Sequence, residues 1–166
     1  MTTERTGLLK GVQDIRTELD RLLDGIDYCF DWKPTDGEWS AREVAYHLVD
    51  TPKGGVHAAL QGMLDGTLHE LKIDADLTNL DEERRLKDIA GVREDLEAVL
   101  GGLEQVLSST TDEQLEHKQV PVLIQRNTGT DAHEWSPGYL AHRAITSHWP
   151  THLHQLAELR EALGID

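Results

Sequence analysis

The sequence predicts an all-α domain, a four-helix bundle with an up-down-down-up course and a short hairpin or loop excursion before the last helix. Apolar residues recur at spacings of three and four over four long stretches, which is the period of helices that bury one face. Aromatic residues make up only 5 % of the chain, so the core has to be built from the aliphatic side chains that line helix seams. A chain of 166 residues is long enough for one such core, burying roughly 68–70 % of the surface its unfolded form exposes. No repeat or low-complexity tract divides it, and residues 1–166 read as a single domain.

The first helix runs from Glu4 to Leu23, with Leu8, Val12, Ile15, Leu19 and Leu22 in one stripe. Gly25, Pro34 and Gly37 interrupt the period, so Asp24 to Trp39 reads as an ordered connector anchored by Trp32 and Trp39. Ser40-Ala41-Arg42-Glu43 is a capping box that opens the second helix. Its inward stripe is Val44, His47, Leu48 and Thr51, and Pro52, Gly54 and Gly55 predict a kink or local distortion near Thr51 before Ala58, Ala59 and Met63 resume the helix. Asp65 to Asn79 is polar and reads as irregular. Asn79 is placed to cap a long third helix through Leu86, Ile89, Val92, Leu96, Val99, Leu103, Val106 and Leu107. Ser108 to Thr111 ends that helix, and Asp112 to Glu116 adds a turn.

Val120, Val122, Leu123 and Ile124, followed by Asn127 and Gly129, suit a short extended hairpin, although Pro121 argues against a central strand. Ser136-Pro137 then supplies a cap and a proline at the first helical position for the last helix, Tyr139 to Leu163.

The formal net charge is -15, with 31 Asp and Glu against 16 Lys and Arg. Such a surface repels phosphate backbones and anionic lipid, which sets nucleic acid and membranes aside as partners and fits a solvated helix exterior. Cys29 is the single cysteine, so this chain makes no internal disulfide and no cysteine metal cluster, as fits a reducing cytoplasm. The charged N-terminal stretch has no apolar signal-peptide core, and no run of apolar residues is long enough to span a bilayer.

Nine histidines are many for this length. His57, His69, His117 and His133 lie on helix surfaces or in polar connectors and read as solvated. His148 and His152 stand four apart, where helical residues differ by only ~40° and project side by side. The inward stripe of the last helix, through Ala141, Ile145, His148, His152 and Leu156, carries both. His142 and His154 fall on other faces. His47 shares the inward stripe of the second helix, so packing these two helices together turns one imidazole toward two. Three neutral imidazoles with an open position suit Zn²⁺, and also Ni²⁺ or Fe²⁺. Pro150, between the pair, deletes a helical hydrogen bond and predicts a kink or a freed carbonyl, and Trp149 falls outside the ligand face as a packing or interface residue. Asp50 and Gln155 are placed to orient an imidazole, although Asp50 reads first as a solvated surface residue. Glu43 is committed to the cap, and Cys29, tied to no histidine by spacing, reads as a buried small side chain.

The run Glu38-Trp39-Ser40-Ala41-Arg42-Glu43-Val44-Ala45-Tyr46-His47-Leu48-Val49-Asp50 resembles the start of the second helix in the DinB/YfiT-like family. His148-Trp149-Pro150-Thr151-His152-Leu153-His154-Gln155-Leu156 resembles that family's last-helix pattern. The resemblance implies a four-helix bundle that holds a metal on three histidines, which map onto His47, His148 and His152. It also implies helix-mediated homodimers, and activities that range over thiol S-transferases using bacillithiol or mycothiol, maleylpyruvate isomerases, and members with no assigned reaction. Pro52 and Pro150 depart from the family pattern without touching a ligand position.

The chemistry that follows is one divalent ion acting as a Lewis acid on a small electrophilic substrate, in thiol transfer or hydrolysis, with no protein nucleophile assigned and a low-molecular-weight thiol as a further cofactor. A mycothiol-dependent, maleylpyruvate isomerase-like enzyme is one alternative. The other is a non-catalytic metal or small-ligand binding bundle, which calls for a closed set of four ligands.

Overall fold

Residues 4–165 are described by a computed structural model. Helix α1 (Glu4–Leu23) buries the predicted stripe against α5 (Ile89–Ser109) and the last helix. Each of these aliphatic side chains, fully removed from water, contributes roughly 1.5–3 kcal/mol before the entropic cost of ordering it. Along the same seam Arg16 pairs with Glu97 and Glu104, both at 2.9 Å. Ion pairs at such exposure add only ~0–1 kcal/mol, so the aliphatic seam holds the helices together. Beyond α1, buried Arg160 donates from Nη1 to the Leu22 and Asp24 carbonyls at 3.0 and 2.5 Å, closing the helix end.

The connector carries a 3₁₀ turn at Asp27–Cys29 and buries Phe30, while Trp32 is 38 % exposed. The capping box forms as predicted at the head of α2 (Ala41–Val49): the Glu43 amide donates to Ser40 Oγ, and the Ser40 amide to the Glu43 carboxylate, each at 3.2 Å. The kink or local distortion predicted near Thr51 takes the form of a full break. Helix α2 stops at Val49, the Thr51–Pro52 bond is cis, Gly54 and Gly55 take positive φ of 87° and 94°, and α3 (Val56–Asp65) starts afresh. Proline offers no amide to the helix, and the two glycines accept backbone angles that other residues resist.

Two expectations for the middle of the chain fail together. The stretch read as irregular contains strand β1 (Leu71–Asp74), and Asn79 caps no helix. Asn79 sits at φ 60°, and its side-chain amide donates to the Tyr46 carbonyl at 3.3 Å and to Thr51 Oγ1 at 3.2 Å. The helical pattern is shared between α4 (Glu82–Leu86), capped by Asp81, and α5, capped by Asp88, with an extended Lys87 between them. Leu86 is 86 % exposed and drops out of the core stripe. The added turn is α6 (Asp112–Glu116), capped by Thr111.

Strands β2 (Val120–Arg126) and β3 (Gly129–Trp135) form the predicted hairpin, but β1 joins β2 in parallel. The order β1-β2-β3 makes the fold mainly helical with a three-stranded sheet rather than all-α. Pro121 therefore does lie in a central strand, which the sequence argued against. The β1 ladder begins at the Leu71–Val122 pair, one residue beyond Pro121, so no β1 partner requires the amide that proline lacks. Alternation along β2 buries Val120, Val122 and Ile124 on one face.

Ser136 caps α7 (Pro137–Arg143), which continues through a π-helical turn at Ala144–His148 into α8 (Trp149–Ala162). In the wide turn the Trp149 amide donates to the Ala144 carbonyl, five residues back. A wide turn therefore precedes Pro150, whose ring clashes with the carbonyl four residues back in a regular α-helix, and stands where a kink was predicted. Gly11 lets α1 lie directly on this turn, since a Cβ there would collide with Ile145 Cγ2. Trp149 packs fully buried. Among the described residues no helix is long and apolar enough to cross a membrane.

Candidate metal centre

His47 rides the last turn of α2 and is completely buried, His148 closes the π turn, and His152 follows one α turn later. One ring nitrogen from each lies within 4.8 Å of the other two. His47 Nε2 and His148 Nε2 are 3.0 Å apart, and the ring centroids are separated by 4.5 to 5.0 Å. Metal–nitrogen bonds of about 2.0–2.1 Å in a tetrahedral set place the nitrogens roughly 3.3–3.4 Å apart, so the closest pair needs to open by only a few tenths of an ångström.

The outer nitrogens decide which atoms face inward. His47 Nδ1 lies 2.7 Å from the Leu77 carbonyl, and His152 Nδ1 lies 2.9 Å from Gln155 Oε1. Both oxygens accept, so both Nδ1 atoms carry the proton and both Nε2 atoms are left with a lone pair. With no hydrogen on His47 Nε2, its close approach to His148 Nε2 needs either a proton on the latter or a cation shared between them.

Burial lowers the pKa of His47 to about 4 and that of His148 to about 3. The neighbouring rings push in the same direction, while the Leu77 contact opposes the shift at His47. Burial also holds His152 below its ordinary value, against the opposing pull of Gln155. All three rings are therefore neutral donors at neutral pH. Trp39 backs them, 4.9 Å from His47 and stacked at 6.0 Å on His152.

Gln155 thus reaches the ring of His152. Asp50 does not reach an imidazole: it accepts from the Gly54 amide at 2.7 Å and pairs with Arg84 at 3.2 Å, holding the break after α2. The corresponding contact to His47 comes from the Leu77 main chain, which Asn79 steadies by clasping the end of α2. Glu43, besides its cap, pairs with Lys33 at 2.7 Å. Cys29 is half-buried rather than buried, its thiol donates to the Ile26 carbonyl, and burial pushes its pKa up. His69, His117, His133, His142 and His154 are exposed. His57 is not solvated as expected; its ring lies tight against Gly102 of α5, its Nδ1 is buried without a partner, and burial lowers its pKa.

A small cleft opens beside the three imidazoles. Val56 and Leu140 wall it from the helices, Ile73, Ile124 and Trp135 from the sheet, and Arg126 and Arg143 bring charge to it. The sequence reading missed this wall because it missed β1. The alternation of Val120, Val122 and Ile124 was the available signal, and it pointed to a strand without saying what that strand would face.

Known proteins agree with this architecture. YfiT from Bacillus subtilis, described as a probable metal-dependent hydrolase with an unusual four-helix bundle topology, superposes with a TM-score of 0.69 at 17 % identity, over 98 % of this chain and 89 % of that one. An uncharacterized protein from Clostridium difficile 630 superposes with a TM-score of 0.62 at 11 % identity, over 95 % of each chain. At these identities the likeness is one of fold. No curated protein matches. The family model of the DinB superfamily matches residues 12–156, a span that includes all three converging histidines, and the chain belongs to that superfamily.

Proposed function

We propose that His47, His148 and His152 hold one divalent ion, zinc, nickel or iron, and that the chain is an enzyme catalysing thiol transfer to, or hydrolysis of, a small electrophilic substrate in the adjoining cleft. The observation that carries this is the donor set: three neutral imidazoles converge beside a cleft, and no Cys, Asp, Glu or fourth His among the described residues joins them. A structural site is closed by four protein ligands, whereas three leave a position for substrate. A divalent ion bound there would supply Lewis acidity and make a coordinated water or thiol easier to deprotonate.

The chain's own residues do the rest. The Leu77 carbonyl and Gln155 hold two rings in the donor tautomer, Trp39 restrains their tilt, and the aliphatic walls offer an apolar surface to the body of a substrate. Cys29 contributes no nucleophile, since its thiol is held protonated by burial and points to a carbonyl. A low-molecular-weight thiol as co-substrate, and isomerase chemistry of the maleylpyruvate kind, fit the same centre. The up-down-down-up course, a homodimer formed through helices and a cytoplasmic location belong to this reading and rest on the family resemblance and the single cysteine.

The test is metal analysis of protein purified without an affinity tag, followed by a transferase and hydrolase screen with each low-molecular-weight thiol. His152→Ala should lose the ion and the turnover together. Metal content and turnover both unchanged in that variant would overturn the proposal.

A further inference from the structure

The cleft beside the histidines runs against the charge of the molecule. The chain carries 31 acidic residues and a formal net charge of -15, yet among the described residues no carboxylate lines this cleft, and Arg126 and Arg143 do. Two other grooves mix both signs with acidic residues in excess: Asp20, Glu94 and Glu97 line the one between α1 and α5 beside Arg16 and Arg93, and Asp50, Asp81, Glu83 and Asp95 line the one beside α4 with Arg84 and Lys87.

Both arginines are available. Arg143 makes no ion pair among the described residues, and its guanidinium lies 5.7 Å from the centre of the Trp135 ring. A guanidinium held over an aromatic face keeps N–H donors for a ligand. Arg126 has only a contact of 3.9 Å to Asp131, beyond hydrogen-bond reach.

The helix geometry aims Arg143 at the site. Arg143 and His148 are five residues apart, a spacing that diverges by ~140° around an α-helix. They line one cleft because the π turn between them bonds to the fifth residue rather than the fourth. The turn that precedes Pro150 thus places a cation and a donor imidazole on a single wall.

The geometry points to a small organic anion of the carboxylate class as the molecule this cleft takes. Its oxygens pair with the fork of Arg143 and, from the sheet side, with Arg126. Its apolar body lies on Val56, Ile73, Ile124 and Leu140, and its reacting end reaches the three histidines. This rests on reading the cleft as the substrate site and adds the chemistry by which substrate is recognised.

Calorimetric titration with 4-phenylbutyrate and its neutral amide, on both zinc-loaded and EDTA-treated protein, tests it. The acid should bind about tenfold more tightly than the amide in both states. Arg143→Gln should cut that preference to about threefold or less while zinc content stays unchanged, and Arg126→Gln should cut it by a smaller factor. Equal affinity for acid and amide, no binding of either, or a preference that survives in the double variant would each overturn the inference. A preference seen only with zinc would also overturn it, because the ion and not the arginines would then hold the carboxylate. The EDTA-treated measurement stands whether or not the histidines bind metal, so failure of the metal reading is seen separately.

Discussion

Replacing Gln155 by leucine removes the side-chain oxygen that holds His152 in its donor tautomer. The bond is 2.9 Å long between neutral groups at a half-buried position, where such bonds contribute about 0.5–1.5 kcal/mol. Loss of a partner that orients a metal-binding histidine typically costs 10–100-fold in metal affinity, or about 1.4–2.7 kcal/mol. Two features place the expected loss near the lower end. Water can reach a half-buried site and replace the amide oxygen, and Trp39, stacked within 14° of the His152 plane, still restrains the ring. Gln155→Leu should therefore bind zinc about tenfold more weakly in competition with a chromogenic chelator. Gln155→Glu keeps an acceptor and makes it anionic, so it should bind at least as tightly as the parent. Melting in EDTA should place both variants within ~2–4 °C of the parent, showing that the fold is intact. Parental zinc affinity in Gln155→Leu would refute the orientation argument.

Because His47 and His148 have folded-state pKa values of about 4 and about 3, below the ordinary 6.5, the unfolded chain takes up protons first as pH falls. Stability should hold above pH 6.5 and decline from there toward pH 4, at up to ~1.4 kcal/mol per pH unit for each ring. Urea midpoints measured in EDTA would show the decline, and His148→Gln should flatten it; identical slopes in parent and variant would count against the burial argument. Gly11→Ala should destabilise the protein by about 1–2 kcal/mol, since overpacking against the stiff Ile145 exceeds the gain in helix propensity; a raised melting temperature contradicts the close approach. Asn79→Ala should weaken zinc binding several-fold by loosening the Leu77 carbonyl, whereas Asn79→Gly relieves the backbone at φ 60° but still loses the clasp. If Asn79→Gly binds zinc like the parent, backbone conformation alone places Leu77.

The helical framework was readable because its signals are local. The stripe of α1, the Ser40–Glu43 capping box and the Ser136–Pro137 start each depend on residues three or four apart. The same reasoning failed where two local signals competed: Asn79 and Asp88 are both good caps, and only packing shows that Asn79 turns back to Tyr46 and Thr51. β1 escaped because four residues give too short an alternation to stand out, and its partner lies far along the chain.

The pairing of His148 with His152, and their place on an inward stripe with His47 on another, follow from the sequence by itself, because helical period and capping are encoded by side-chain type at fixed spacing. The oxygen on His47, the sheet wall of the cleft and the meeting of Arg143 with His148 across a π turn were decided by tertiary structure alone. A main-chain carbonyl has no residue type to read, a parallel pairing leaves no local pattern, and a widened turn changes which residues share a face without altering their spacing.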